Sequence, residues 1–305
     1  MSNIQTVTGP VGAADLGVTL PHEHLFIDRT LTGGTDSYLV DLELAVQEAQ
    51  LFKESGGSTI VDCSTREIAR NPVWLREVAQ RTGVQVVMGT GHYRHPFLDN
   101  AWMDVHQVDE IAQELIDDIQ TGVGDTGIRA GIIGEIGSNG EHVSAVEERS
   151  FRAAARAHQA TGVTITTHAG IFPVGHEQLD ILFHEGVPAS RIVVGHCDTV
   201  NSPEYHVALA ERGVFVQFDT LHQQAAYDTD LRLRFVLNMV AAGHERKVLL
   251  SHDICLRSHL TALGGKGYSF LIKEFIPRLR AAGLSAAQVE QIVKDNPRRA
   301  LSGEE

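Results

Sequence analysis

Hydrophobic and polar positions along this chain beat in two alternating rhythms. Short runs rich in Val and Ile are followed, again and again, by longer stretches with apolar residues every three to four positions. The first rhythm suits strands and the second amphipathic helices. Strands are predicted over 16–20, 58–63, 84–88, 131–136, 163–168, 191–196, 214–219 and 247–253. Helices are predicted over 41–55, 71–82, 105–121, 145–161, 177–185, 203–212 and 229–242. The first helix shows its punctuation, with Asp41 as N-cap and Gly56-Gly57 as stop.

Near-continuous Val/Ile runs fit parallel strands covered on both faces. Eight strand–helix units with no break in composition predict a (β/α)8 TIM barrel, with residues 1–305 as a single barrel domain. A doubly wound open sheet is the alternative. It explains the strand ends less well, because a closed barrel gathers all eight C-terminal ends around one mouth.

Those ends carry the chemistry. The first strand runs into Pro21-His22-Glu23-His24, where alternation puts His22 and His24 on one face and Glu23 on the other. Glu135, His168, His196 and Asp253 close later strands. Active sites of such barrels lie at that end, so His22, His24, Glu135, His168, His196 and Asp253 are the candidate metal ligands.

Composition narrows the class. Of 305 residues, 43% are hydrophobic, enough for a sizeable core, and the formal net charge is −14 with no basic run. Nucleic acid and acidic membrane surfaces are therefore not expected partners, and a small-molecule substrate is. Three scattered cysteines support neither a disulfide framework nor a Cys-based zinc site. The N-terminus has no basic and apolar leader pattern, so a cytoplasmic location is expected. A homodimer is compatible with the sequence.

The segments Pro21-His22-Glu23-His24, Thr59-Ile60-Val61-Asp62-Cys63-Ser64-Thr65 and Gly89-Thr90-Gly91-His92-Tyr93 follow one another at strand ends. So do Gly134-Glu135-Ile136-Gly137, Thr166-Thr167-His168, Gly195-His196-Cys197-Asp198, Ser251-His252-Asp253 and Gly264-Gly265-Lys266-Gly267-Tyr268. Together, with Asn296-Pro297, they resemble the phosphotriesterase family of the amidohydrolase superfamily, nearest its phosphotriesterase-related branch. The resemblance covers essentially the whole chain. It implies two divalent metal ions, Zn²⁺ by preference. His22, His24 and Asp253 would hold one, His168 and His196 the other, and Glu135 with a hydroxide would bridge them. It also implies attack by that hydroxide on a substrate carbonyl, with Asp253 as the catalytic residue that carries the proton to the leaving group.

Two departures from the family pattern bear on activity. Many members bridge the metals with a carboxylated lysine, where this chain has Glu135. Organophosphate-hydrolysing members carry a histidine after the strand-seven aspartate, where Asp219 is followed by Thr220. The first expectation is therefore a small ester or lactone as substrate, with an N-acylated anionic amide next and a phosphotriester last. A binding protein that has lost turnover is the non-enzyme alternative. Tyr93, Arg257, His259 and Tyr268 are the expected substrate contacts, the last three (with Lys266) as holders of an anionic group. Cys197 and Cys255 are expected to be packing residues.

Overall fold

The computed structural model describes residues 2–221 and 226–304. Eight parallel strands form one sheet: Thr19–Glu23 (β1), Thr59–Asp62 (β2), Gln85–Thr90 (β3), Ile132–Gly137 (β4), Ile165–His168 (β5), Ile192–Gly195 (β6), Phe215–Phe218 (β7) and Val248–Leu250 (β8). Each pairs with its sequence neighbour, the pattern of a (β/α)8 barrel. Between them run the helices Leu42–Glu54 (α1), Pro72–Thr82 (α2), Val108–Gln120 (α3), Ala145–Thr161 (α4), Gly175–His184 (α5), Pro203–Glu211 (α6) and Ala226–Ala241 (α7).

Local chemistry sets the helix bounds. Asp41 accepts the Leu44 N–H (3.1 Å) and starts α1, whose buried Ala45, Ala49 and Phe52 make one stripe against the strands. Ser144 and Glu147 form a capping box at the start of α4. The stretch predicted as one helix over 105–121 is interrupted. Asn100–Val105 ends at His106, and α3 restarts after Gln107, whose N–H is accepted by Glu110 (2.7 Å).

Alternation along the strands divides the apolar residues between two layers. Ile60, Val86, Ile133, Ile165, Ile192, Val216 and Leu250 join the large core under the helices. Val61, Val87 and Ile132 instead form a second cluster with Ile4 and Leu301, and Val193, Phe215 and Leu249 a third with Ala300. These fill the barrel interior. Ile4 belongs to an N-terminal hairpin, Asn3–Thr6 with Gly9–Gly12, which the sequence pattern did not reveal.

Register shifts occur in two strands that carry candidate ligands: between Leu20 and Glu23 in β1 and between Ile133 and Ile136 in β4. The second brings Glu135 to the inner side along with Ile132, which simple alternation would not do.

The seam between β1 and β8 is closed largely by one side chain. Glu23 Oε1 accepts from Ser251 Oγ (2.7 Å), His252 N (2.8 Å) and His252 Nδ1 (2.8 Å), and Oε2 accepts from Ile254 N (3.0 Å). Glu23 is fully buried. Glu23→Gln would set an amide donor against N–H donors. It is expected to lower the unfolding free energy by about 1.5–3 kcal/mol, the size of a hydrogen bond to a charged group. Urea denaturation measures this, and an unchanged midpoint would mean that packing alone closes the seam.

Candidate metal centre

Barrel closure brings all six candidate ligands to the mouth. Glu135 lies at their centre and is itself buried. Its Oε1 is 3.3 Å from His24 Nε2, while Oε2 is 2.9 Å from His168 Nδ1, 3.2 Å from His196 Nε2 and 3.6 Å from His22 Nε2. Asp253 Oδ1 adds a second oxygen 3.2 Å from His24 Nε2 and 3.8 Å from His22 Nε2. Among the described residues, three overlapping groups have donor atoms close enough for a metal ion: His22–His24–Glu135, Glu135–His168–His196, and His22–His196–Asp219. Imidazole nitrogen with carboxylate oxygen is an ordinary zinc donor set.

The side chains behind these ligands fix which nitrogen faces inward. Ser64 Oγ donates to Phe26 O (2.7 Å), so it accepts from His24 Nδ1 (2.9 Å) and leaves His24 Nε2 as the inward donor atom. Asp219 Oδ1 holds His196 Nδ1 (2.7 Å) and both its oxygens accept the His196 N–H, which leaves His196 Nε2 inward. Such carboxylate–histidine pairs orient metal ligands. Asp62 ties the ends of β1 and β2 together through Leu25 N (2.7 Å) and Ser64 N (3.1 Å). His196 (φ 54°) and Asp253 (φ 51°) both occupy left-handed backbone, uncommon for residues with a side chain and frequent at functional sites.

His22 supplies the test of fit. It is fully buried, yet among the described residues neither ring nitrogen has a hydrogen-bond partner. Buried polar atoms are nearly always partnered, and a divalent ion would satisfy this one.

The electrostatics agree. Burial alone would lower the His24 pKa, but Asp253 and Glu135 hold it at about 9. Burial is likewise outweighed at His196, held at about 10 by Asp219 and Glu135, and at His22, raised by its surroundings, the Glu135 and Asp219 carboxylates among them. His168 goes the other way, down to about 3, through burial and the neighbouring His196 charge. Against the effect of burial, the imidazoles hold Glu135, Asp219 and Asp253 below the ordinary carboxylate range. Without metal, protons on His22, His24 and His196 balance three carboxylates.

The other sequence candidates fall in different places. A cavity of about 240 Å³ opens over the cluster, lined by His168, His196, Asp253 and His259 together with Arg29, Arg94, Ile171 and Leu256. Tyr93 is buried beside it, its OH 3.3 Å from His168 Nδ1. Tyr268 does not face this cavity: it is buried, and its OH donates to His24 O (2.8 Å). Arg257 is also outside the lining, because its loop turns there to let Ser258 bind Asp36 (2.6 Å). Lys266 pairs with Glu274 (2.8 Å) on the surface. Burial pushes the Cys63 thiol up to about 11 and raises those of Cys197 and Cys255 well above the ordinary thiol value, so none is a ready thiolate. A larger cavity, about 450 Å³ and lined by Ser2, Asp15, Lys294 and Arg298, contains none of the cluster.

Sequence reasoning missed Arg29, Arg94, Ser64 and the orienting role of Asp219. Only Asp219 carried a signal, as a carboxylate ending a strand.

Two outcomes follow from this geometry. Ser64→Ala removes the acceptor that fixes the His24 tautomer and is expected to weaken metal binding about 10–100-fold, read by competition with a chromophoric chelator. Unchanged affinity would show that Ser64 only packs. The protons raised onto His24 and His196 stabilise the metal-free fold fully below about pH 6.5, and that contribution is lost as pH rises through about 9 and 10. Ligation needs neutral imidazole, so metal uptake should release protons at pH 7–8 and tighten with rising pH. Calorimetry in buffers of different ionisation enthalpy measures the release, and finding none would contradict these assignments.

The chain was compared with known proteins. The phosphotriesterase family model matches residues 2–301. The phosphotriesterase homology protein of Escherichia coli is 37% identical over 282 residues, covering 92% of this chain and 96% of that protein. The N-acetyltaurine hydrolase of Dictyostelium discoideum is 27% identical over 365 residues, covering 99% and 98%. A lactonase of Listeria monocytogenes superimposes with a TM-score of 0.93 at 25% identity, covering 100% of both chains. With its barrel, its cluster of imidazoles and carboxylates and these matches, the chain belongs to the phosphotriesterase family.

Proposed function

We propose that this phosphotriesterase-family hydrolase uses a binuclear divalent-metal centre to cleave the carbonyl bond of a small ester or lactone. The observation that carries the reading is Glu135. Its two oxygens face different imidazoles, so one buried carboxylate is common to two donor groups. His22, His24 and Asp253 would hold one ion, His168 and His196 the other, and Glu135 would serve both. Zinc suits this donor set. Bound there, the ions would supply hydroxide at neutral pH and polarise a carbonyl or phosphoryl oxygen.

The chain's own groups support the rest of the reaction. Asp253 lines the cavity and stays ionised, because His24 and His196 outweigh the effect of burial. It is placed to take a proton from the attacking water and deliver it to the leaving group. The Tyr93 hydroxyl sits beside His168, at the cavity edge. A cavity of about 240 Å³ favours a compact substrate.

An amide is the second reading, favoured by the relatives named for hydrolysis of N-acetyltaurine. The same attack on a carbonyl serves both. Phosphotriester hydrolysis is disfavoured. Asp219 is committed to His196 and Gln217, and the neighbouring Thr220 donates to Asp198 (2.6 Å), so among the described residues no histidine relay continues from it.

The test is hydrolysis of a panel of lactones, esters and N-acyl amino acids by metal-loaded protein, with and without chelator. Chelator-sensitive turnover of at least one carbonyl substrate is expected. Tight ligand binding without any turnover would favour the binding-protein alternative. Glu135→Gln keeps the shape but removes the shared negative charge, and it should lose at least about 10–100-fold in activity together with bound metal. Because a glutamate needs no carbon dioxide to ligate, reconstitution of the wild type should be indifferent to bicarbonate. A bicarbonate requirement would contradict the role given to Glu135.

A further inference from the structure

Two arginines share the mouth cavity with the cluster, and they reach it from different loops. Arg29 follows β1, on a short antiparallel pair formed by Ile27–Asp28 and Tyr38–Leu39, where its N–H binds Ser37 O (2.9 Å). Asp36 on that loop is held by Ser258 N (3.0 Å) and Oγ (2.6 Å) from the loop after β8. Arg94 follows β3. Its Nη1 donates to His95 O (2.8 Å) and to Asn139 Oδ1, and its guanidinium lies 5.1 Å from the Tyr93 ring centroid. Buried Glu147 accepts from His95 N (3.2 Å) and Asn139 N (3.0 Å), so the Arg94 support is built into the α4 cap.

What sets these arginines apart is their unused donors. Other arginines deep in the fold are paired, Arg70 with Asp118 (2.8 Å) and Arg232 with Asp198 (3.2 Å). The Nε of Arg29 and of Arg94 are buried without a partner. Arg29 makes no side-chain hydrogen bond or ion pair among the described residues. Burial opposes its charge, but its surroundings, the Asp253 and Glu135 carboxylates among them, more than offset this, so it remains a cation beside the cluster. Both arginines are half-buried, with Nε out of reach of solvent and partner alike, and the guanidinium fork matches an oxyanion.

We infer that Arg29 and Arg94 form an oxyanion-recognition site, so that the substrate carries a carboxylate, sulfonate or phosphate next to its scissile carbonyl. The part concerning substrate rests on the hydrolase reading proposed above. Anion recognition thereby moves from the loop after β8, where Arg257 and Tyr268 do not line the cavity, to the loops after β1 and β3. Ile171 and Leu256 line the same cavity and leave room for a short apolar linker. Ile171 is 74% exposed and has φ 72°, rare for a β-branched residue.

Zinc-loaded full-length protein should hydrolyse 3-carboxy-γ-butyrolactone with higher kcat/KM than 3-methyl-γ-butyrolactone. Arg29→Gln and Arg94→Gln should each lower that ratio roughly 10–100-fold, chiefly through KM of the anionic substrate. Arg29→Lys, which keeps charge but not the fork, should retain part of the preference. Binding is read separately, by calorimetry with propionate, propane-1-sulfonate and propyl phosphate against 1-propanol, on metal-loaded and metal-free protein. The arms also show which oxyanion fits best. Arginine-dependent anion binding without hydrolysis of either lactone, or of any ester or N-acyl amino acid of the panel above, supports the site and defeats the hydrolase reading. Hydrolysis with no charge preference overturns the site and leaves that reading standing. Anion binding that survives both substitutions, or that needs only the metal, overturns it too.

Discussion

A carboxylate buried among four imidazoles cannot stand alone, and the mouth of this barrel is arranged around that constraint. Glu135 lies within 3.6 Å of nitrogens from His22, His24, His168 and His196. Removing such charges from water is expensive unless each is compensated. Asp219 and Asp253 add two more negative charges, balanced by protons when no metal is bound. A site whose carboxylates already draw protons onto neighbouring imidazoles in a dry pocket is preorganised for cations. Exchange of protons for metal then couples assembly to pH.

The cluster persists because the scaffold aims its members. Glu23 clamps β1 to β8 and so sets the distance between the His22–His24 pair and Asp253, whose N–H also binds His22 O (3.3 Å). Ser64, Asp219 and Tyr268 each bind a ligand residue from behind. One strand motif thus divides its labour by face. The two histidines turn to the mouth, and the glutamate between them holds the barrel shut.

Much of this was legible in the sequence, for identifiable physical reasons. Strands covered on both sides are Val/Ile-rich, so eight of them stood out, and a residue that ends a barrel strand has only one place to go. The first helix bound followed its side-chain cap, Asp41. The interruption at His106 and Gln107 was hidden, since apolar spacing barely changes across it. The inward turn of Glu135 depends on a register shift that no local pattern announces. Arg29 and Arg94 were illegible for the opposite reason to the ligands. They sit on loops, whose path is set by long-range contacts such as Asp36 with Ser258 and Glu147 with His95. For the same cause, nearness to Asp253 in sequence does not bring Arg257 and Tyr268 into the lining of the cavity.

The central claim is that one carboxylate, Glu135, serves two ions at once. Anomalous diffraction at the zinc edge from a crystal of metal-loaded protein tests it without reference to any substrate. Two peaks are expected about 3.5–4 Å apart, one beside His22, His24 and Asp253 and one beside His168 and His196, with a Glu135 oxygen bound to each. A single peak at full loading, or two peaks with Glu135 bound to only one, would contradict the account.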